Sequence, residues 1–247
     1  MNFEPLYLVH TQPDTQRLAA WAARHRLLDS QGDLGYAIHA LLHAAFGERA
    51  PQPFHYLDAE QGLLAYTRLS AAELAQHAAL ADPDVAVALG LGQTLHHAGL
   101  SARTFPTQWA MGHVLGFEVR VRPIIREGKT GRERDAFLAA IEKSDGSELD
   151  RSEVYVQWLR DLLARQGGAE LVAATVTRYQ QLGVTRKSQK SGSEDARHSR
   201  LVSGPDAVLA GQLRVTDPQA FAQLLARGVG RHRAFGFGLL LLRSARG

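Results

Sequence analysis

The segment Phe54-His-Tyr-Leu-Asp-Ala-Glu-Gln-Gly-Leu-Leu-Ala-Tyr-Thr67 predicts a β-hairpin, and the rest of the first half can be placed around it. Residues 54–57 and 63–67 are short apolar runs, and the polar residues 58–62 between them have the composition of a turn. A lone hairpin is only marginally stable in water, so the flanking segments must complete its sheet and cover one face.

The flanking segments have the patterns expected of two further strands and three helices. We predict strands at residues 5–9 and 85–89 and helices at residues 14–28, 33–46 and 71–79. The last helix is marked by Ser70 and Glu73, whose spacing is that of a capping box. The resulting strand and helix order, β-α-β-β-α-β, is that of a ferredoxin-like domain.

The second half of the chain repeats this order. Strands are predicted at 115–122, 171–177, 207–215 and 238–243, helices at 154–163 and 217–226, and the stretch 127–150 is polar. The strand 115–122 alternates, so that one face is apolar and the other carries Arg120 and Arg122. We therefore predict an α+β protein of two tandem ferredoxin-like (RRM-like) domains, at residues 1–100 and 113–247, joined within residues 90–112.

Composition excludes several classes of protein. The 247 residues are 45% hydrophobic and 21% charged, an ordinary globular balance with room for two domains. The absence of cysteine excludes disulfide scaffolds, thiolate metal sites and cysteine nucleophiles. The sequence begins without a signal-peptide pattern and contains no apolar run of roughly 18 residues. We expect a soluble, cytoplasmic protein without membrane contact.

Charge is divided unequally between the two halves. Residues 1–112 contain six basic and ten acidic residues (net −4), and residues 113–247 contain 22 and 15 (net +7), which together give the net charge of +3. A basic half joined to an acidic one suggests that the second half binds a polyanion, with RNA or DNA the first candidate.

The polar segment 186–200 lies between two predicted hairpin strands and is rich in basic residues. It has two interpretations: a solvated surface insertion, or a basic finger that is mobile alone and orders on nucleic-acid phosphates. The basic residues that would contact RNA in the second interpretation are Arg186, Lys187, Lys190, Arg197 and Arg200.

A glycine-rich loop, Gly228-Val-Gly-Arg-His-Arg-Ala-Phe-Gly-Phe-Gly238, connects the last helix to the last strand. Glycines permit positive φ and close approach of a ligand to the backbone, whose amides can bind phosphate oxygens. The loop is not a dinucleotide fingerprint, which follows a strand and opens a helix, and it lacks the Gly-Lys-Ser/Thr of a Walker loop. We predict that Gly228, Gly230, Gly236, Gly238 and Arg231 contact RNA.

The helix 33–46 has an apolar stripe on one side and a polar row on the other. Leu34, Ile38, Leu41 and Ala45 form the stripe, and Tyr36, His39 and His43 lie nearly opposite. A histidine titrates near neutrality and can exchange a proton with a ribose 2′-hydroxyl or a leaving 5′-oxygen. The alternative is a set of solvated surface side chains. His39 and His43, four residues apart, could share one metal ion, but no HExxH glutamate lies between them, so a metal site is not expected.

The glycine-rich loop and the helix motif together resemble the CRISPR repeat-processing endoribonucleases, and within them the CasE (Cse-type) branch. Tyr36-Ala-Ile-His39-Ala-Leu-Leu42 fits that branch's pattern of tyrosine, two residues, histidine, two residues and leucine. The chain departs from the branch at His43, where tryptophan is common, and at Arg233, where the loop often has lysine.

The resemblance implies metal-independent cleavage of CRISPR repeat RNA beside a hairpin, with the ribose 2′-hydroxyl as nucleophile and no cofactor. It implies a 2′,3′-cyclic phosphate product, retention of the product hairpin, and a monomer that later assembles with other CRISPR-associated subunits. His39 would transfer the proton, Tyr36 would be the positioning partner of His39, and Arg233 with Arg231 would stabilise the transition state. Arg120 and Arg122 would bind hairpin phosphates.

Two other classes of function are compatible with the sequence. A non-catalytic RNA-hairpin-binding subunit of a CRISPR effector complex would have the same basic residues, and only Tyr36 and His39 argue against it. A ferredoxin-like regulator that binds a small molecule is the second, and its binding would lack a steep salt dependence.

Overall fold

The structure is a computed structural model that describes residues 5–28, 34–93, 99–106, 108–128, 131–145, 148–188 and 198–244. Its fold is α+β with two ferredoxin-like units in tandem, as the sequence predicts. Within the described residues no helix is both long and apolar enough to span a membrane.

The first unit contains a four-stranded antiparallel sheet and four helices. The strands are β1 (Leu6–Thr11), β2 (Phe54–Asp58), β3 (Gly62–Thr67) and β4 (Ser101–Phe105), and the helices are α1 (Thr15–Arg24), α2 (Gly35–Phe46), α3 (Ala71–Leu80) and α4 (Pro83–Leu89). The sheet order is β2-β3-β1-β4. The predicted capping box at the start of α3 is present, with Ser70 and Glu73 bonded reciprocally.

The prediction of a strand at residues 85–89 is wrong, because this segment is the helix α4. Asp82 caps it by accepting the Asp84 amide, Pro83 occupies the first turn, and Val85, Ala88 and Leu89 are buried at helical spacing. The fourth strand is β4, which pairs with β1. The first sheet therefore extends beyond residue 100, where we had placed the end of the first domain.

The second unit repeats the sheet order and adds a small insertion. Its elements are β5 (Val114–Val121), β6 (Ile124–Arg126), β7 (Glu133–Asp135), α5 (Ala136–Ile141), α6 (Arg151–Gln166), β8 (Ala169–Ser188), β9 (His198–Val215), α7 (Pro218–Arg227) and β10 (Leu240–Ser244). The main sheet has the order β10-β5-β9-β8, and β6 pairs with β7 in a separate two-stranded sheet. In this insertion β7 and α5 lie within the predicted polar stretch 127–150, and β6 comes directly before it.

The hairpin β8–β9 is longer than the sequence predicts. Its backbone pairing continues through Arg186 opposite Arg200 to Ser188 opposite His198, so the two ends of the predicted finger are strand. Lys190 and Arg197 lie outside the described residues. These two ends of the predicted finger are therefore held by backbone hydrogen bonds across the ladder.

The two units pack against each other through the face of the first sheet that its own helices leave uncovered. Leu6, Leu8 and Tyr66 belong to the apolar core of the second unit, and the Tyr66 hydroxyl donates to the carbonyl of Leu240 at 3.0 Å. The opposite sheet face packs on α1 and α2. This arrangement fixes α2 relative to the C-terminal part of the chain, which positions the candidate site.

Candidate nucleic-acid site

Helix α2 presents the predicted polar row away from its core. Ile38, Leu41 and Ala45 are buried, whereas Tyr36 and His39 are half-buried and His43 is exposed. The i, i+3 and i+7 spacing of the polar row keeps its three side chains on one side of the helix. The side chains of Tyr36 and His39 are thus held at the surface by a helix whose other side is fixed in the core.

The glycine-rich loop folds back on itself between α7 and β10. The Val229 amide donates to the Gly238 carbonyl at 2.8 Å, and the Gly238 amide donates to the Arg120 carbonyl at 2.7 Å. Between these bonds, Arg233–Phe235 form a 3₁₀ turn. The loop is therefore an ordered structure attached to β5.

The structure brings the loop and the polar row of α2 together at Phe235. Its ring stacks on Tyr36 with centroids 5.8 Å apart and meets the His39 ring edge-on at 5.3 Å. The rings of Tyr36 and His39 are 6.2 Å apart, and those of His39 and His43 are 4.5 Å apart. Two motifs almost 200 residues apart in sequence thus form one site, in which Phe235 is the contact that sequence reasoning missed.

His39 is neutral in this environment. Burial lowers its pKa, and the nearby His43 lowers it further, to about 4. A neutral imidazole at neutral pH has a free ring nitrogen lone pair and can accept a proton. The site therefore offers a proton acceptor.

A cavity of about 650 Å³ adjoins Phe235 and is lined by three arginines, Arg227, Arg231 and Arg233. Arg233 donates to the Arg227 carbonyl at 2.7 Å, and its pKa is lowered by burial first and then by the charges of Arg227 and Arg231. Three guanidinium groups around one cavity fit an anionic ligand such as a phosphodiester. The sequence analysis does not name Arg227 as a site residue, although a basic residue in the last helical turn before Gly228 is a pattern that could identify it.

Two of the predicted phosphate-binding amides are already used inside the protein. The Gly228 amide donates to the Leu224 carbonyl at the end of α7, and the Gly238 amide to Arg120. A side chain at Gly238 would overlap the Val229 carbonyl oxygen. The prediction that these two amides contact RNA is therefore corrected: both glycines shape the loop.

The other two glycines also face protein. A Cβ at Gly236 would lie 3.3 Å from the Phe54 ring, and one at Gly230 would lie 3.6 Å from Leu162 and Trp158. All four glycines have positive φ, between +76° and +81° for Gly228, Gly230 and Gly238 and +85° for Gly236. Their conformational freedom is needed for the turn itself.

Arg120 and Arg122 do not form a basic outer face, which corrects our prediction that they bind hairpin phosphates. Arg120 makes a bidentate pair with Asp206, both contacts at 2.9 Å, and lies 4.4 Å from the centre of the Phe237 ring. Arg122 is only 2% exposed and donates to the Leu182 carbonyl at 3.4 Å. The alternation of the strand is present, but the loop and β8 cover its second face.

The Arg120–Asp206 pair forms part of a buried polar cluster. Gln180 donates to Asp206 at 2.7 Å. Burial alone would raise the pKa of Asp206, but the hydrogen bonds and charge of Arg120 outweigh it, so this pKa is lowered. Neighbouring His55 is buried, and its pKa is lowered to about 4 by burial and then by Arg120. The cluster is packed inside the protein behind the loop.

Among the described residues, no group of three or more histidine, aspartate or glutamate side chains is arranged to hold a metal ion. The side chains of Arg186, Lys187 and Arg200 lie outside what the structure describes, so their predicted RNA contacts stay predictions. Arg231 is in the site, and its Nε donates to Glu133 at 2.9 Å.

Fold and site together define a protein with two ferredoxin-like units and an arginine-lined cavity beside a tyrosine–histidine pair. The chain belongs to the family described as "CRISPR associated protein", whose model matches residues 6–244. Among curated proteins, none matches the chain in sequence.

Three solved structures have the same fold over nearly the whole chain. A CRISPR endoribonuclease Cse3 bound to a 19-nucleotide RNA is 21% identical, with a TM-score of 0.62, covering 98% of this chain and 100% of that one. Thermus thermophilus Cse3, bound to an RNA representing a pre-cleavage complex, is also 21% identical, with a TM-score of 0.60 and 97% and 99% coverage. A chain of a CRISPR RNA-guided surveillance complex in a pre-nicking state is 15% identical, with a TM-score of 0.50 and 97% and 99% coverage.

Proposed function

We propose that the protein is an endoribonuclease that cleaves CRISPR repeat RNA beside a hairpin and binds the resulting guide RNA. Family membership and the RNA-bound Cse3 structures of the same fold support the substrate class. The observation that carries the proposal is the convergence of Tyr36, neutral His39 and the arginine-lined cavity at Phe235.

The proposed reaction is an internal attack of the ribose 2′-hydroxyl on the adjacent phosphorus. His39 accepts the 2′-hydroxyl proton as the new P–O bond forms, because its imidazole is neutral at the pH of the cell. The bond from phosphorus to the 5′-oxygen breaks, and this oxygen takes a proton from solvent. The products are a 2′,3′-cyclic phosphate and a 5′-hydroxyl, and in this proposal His39 and the arginines carry the reaction without a metal ion.

The arginines supply the electrostatic part of the mechanism. Negative charge grows on the phosphate oxygens as the 2′-oxygen attacks, and Arg233, Arg231 and Arg227 surround the cavity where the phosphate would lie. Tyr36 would orient the attacking hydroxyl through its own hydroxyl, while Phe235 holds its ring. Association with further CRISPR-associated subunits is part of the proposal, in keeping with the fold shared with a surveillance-complex chain.

The test of this function is incubation with repeat RNA from the same genome in EDTA, followed by mapping of the product ends. We expect one cut beside the hairpin, a cyclic phosphate on the upstream product and a 5′-hydroxyl downstream. Binding without cleavage would establish the non-catalytic RNA-binding subunit instead.

The pH dependence of cleavage tests the role of His39 as proton acceptor. Its pKa of about 4 means that the reactive neutral form predominates above that value and is lost as pH falls through it. We expect log kcat/KM to be level from about pH 5.5 to 8 and to fall towards pH 4, because kcat/KM reports the free enzyme. A rate that declines tenfold per pH unit above pH 6.5 would instead identify His39 as a proton donor.

The predicted basic finger gives a separate expectation for RNA binding. Changing Arg186, Lys187 and Lys190 together to alanine should weaken hairpin binding and flatten its salt dependence. Each lost phosphate contact removes roughly 0.7–0.9 from the slope of log affinity against log salt. Titrations between about 50 and 300 mM salt measure this slope, and an unchanged slope would mean that the segment is a solvated insertion.

A further inference from the structure

Glu133 on β7 binds two consecutive residues of the glycine-rich loop. One carboxylate oxygen accepts from Arg231 Nε at 2.9 Å and the other lies 2.8 Å from His232 Nε2. The Glu133 side chain is 9% exposed, and the His232 side chain is fully buried. The Glu133–His232 contact is thus shielded from water, and a shielded hydrogen bond to a carboxylate is stronger and more selective in geometry than one at the open surface.

The backbone of His232 has a conformation that is costly for a residue with a side chain. Its φ is +61°, and among the described residues only Arg26 is another non-glycine with positive φ. Such a conformation is strained and persists only where surrounding contacts enforce it. The imidazole contact with Glu133 is such a contact.

The conformation of His232 determines where the following turn points. The His232 carbonyl accepts the Phe235 amide at 2.8 Å, which closes the 3₁₀ turn carrying Arg233 and Phe235. The Phe235 ring then contacts Tyr36 and His39. A continuous chain of contacts therefore leads from the β7 carboxylate to the polar row of α2.

The strand β7, which carries Glu133, is held in place by its own contacts. Glu133 is paired with Arg126 across the β6–β7 sheet, and the next residue, Arg134, forms ion pairs with Glu127 and Glu142. The carboxylate is thus presented by backbone hydrogen bonds rather than by a loose loop, as a group that fixes the position of another must be.

We propose that Glu133 is a positioning residue for RNA cleavage, which holds Arg231 and His232 so that Phe235 keeps Tyr36 and His39 in reactive geometry. This inference rests on the proposed function, because cleavage is the reaction that the positioning serves. A displacement of about 1 Å at a reacting group can lower a rate by about 10²-fold. Glu133 touches neither the phosphate nor the ribose in this account.

The test compares Glu133→Ala and Glu133→Gln with a matched control, Glu142→Ala. Glu142 also pairs with β7, through Arg134, but its side chain is 62% exposed and does not contact the loop. We expect Glu133→Ala to lower the single-turnover rate at saturating RNA by 10- to 100-fold, with Kd changed less than about threefold. Glu133→Gln, whose amide oxygen still accepts a hydrogen bond, should recover part of the rate, and Glu142→Ala should behave as wild type.

A second readout does not depend on activity. The ring resonances of Tyr36 and His39, recorded by NMR without RNA, should shift in both Glu133 variants because the Phe235 ring moves, and should not shift in Glu142→Ala. Wild-type cleavage of repeat RNA tests the proposed function alone. Given that cleavage, wild-type rates and unshifted rings in Glu133→Ala overturn the positioning role. If that variant fails to fold, the same result in Glu133→Gln overturns it, because glutamine lacks the carboxylate charge that pairs with Arg231 and His232.

Discussion

His39→Ala should lower the single-turnover cleavage rate by about 10²–10⁴ while leaving RNA affinity and folding nearly unchanged. A positioned acid or base contributes about that much to a proton-transfer step. The side chain is half-buried at the surface of α2, so its removal leaves no large cavity in the core. Rates measured with protein in excess over a labelled repeat hairpin, at concentrations above Kd, separate cleavage from binding.

His43→Ala is the matched control, one helical turn further along α2. His43 is exposed and is the second cause of the lowered pKa of His39, so its loss should change the rate several-fold at most. Cleavage by His39→Ala at the wild-type rate would remove His39 from the mechanism and make His43 the next candidate for the proton transfer.

Gly238→Ala should lower cleavage by about 10²-fold, far more than Gly230→Ala. Both glycines have positive φ, +80° and +76°, so alanine is strained by a similar amount at each. The difference is space, because a methyl group at Gly238 would overlap the Val229 carbonyl, whereas one at Gly230 meets side chains only at 3.6 Å. The clash breaks the Val229–Gly238 hydrogen bond that closes the loop and displaces Phe235.

Thermal melting and RNA affinity accompany the rate measurement for both glycine variants. The shared backbone strain, about 1 kcal/mol, corresponds to roughly 2–4 °C in a protein of this size. We expect Gly230→Ala to show that loss alone. Equal rates in the two variants would mean that closure of the loop at Gly238 does not control the site.

The order of strands and helices could be predicted largely from periodicity, and the exceptions have physical causes. The segment Val85-Ala-Val-Ala-Leu89 is too short for its apolar pattern to distinguish a strand from a helix. The helix start signal at Asp82-Pro83 favours a helix. Strand β4 is an edge strand with exposed residues, so it lacks an apolar run. The paired ends of β8 and β9 consist largely of polar residues, so hydrophobic periodicity does not predict a strand there.

The two halves of the candidate site were predicted from sequence, but their contacts were not. The helix pattern selected Tyr36 and His39, and the glycine-rich loop was conspicuous by composition. Periodicity assigned Arg120 to an outer face and could not indicate that Asp206 and Phe237 cover that face. Glu133 gave no local signal, because its partners lie 98 and 99 residues away in the chain.

The central claim is that the ribose 2′-hydroxyl at the cut attacks its own phosphate with His39 as proton acceptor. A repeat hairpin carrying a single 2′-deoxy substitution at that ribose tests it most directly, with the unmodified RNA and a deoxy substitution one nucleotide away as controls. We predict unchanged affinity, no detectable cleavage of the first RNA and normal cleavage of both controls. Cleavage of the deoxy substrate at the usual position would contradict the account, since another nucleophile would then carry the reaction.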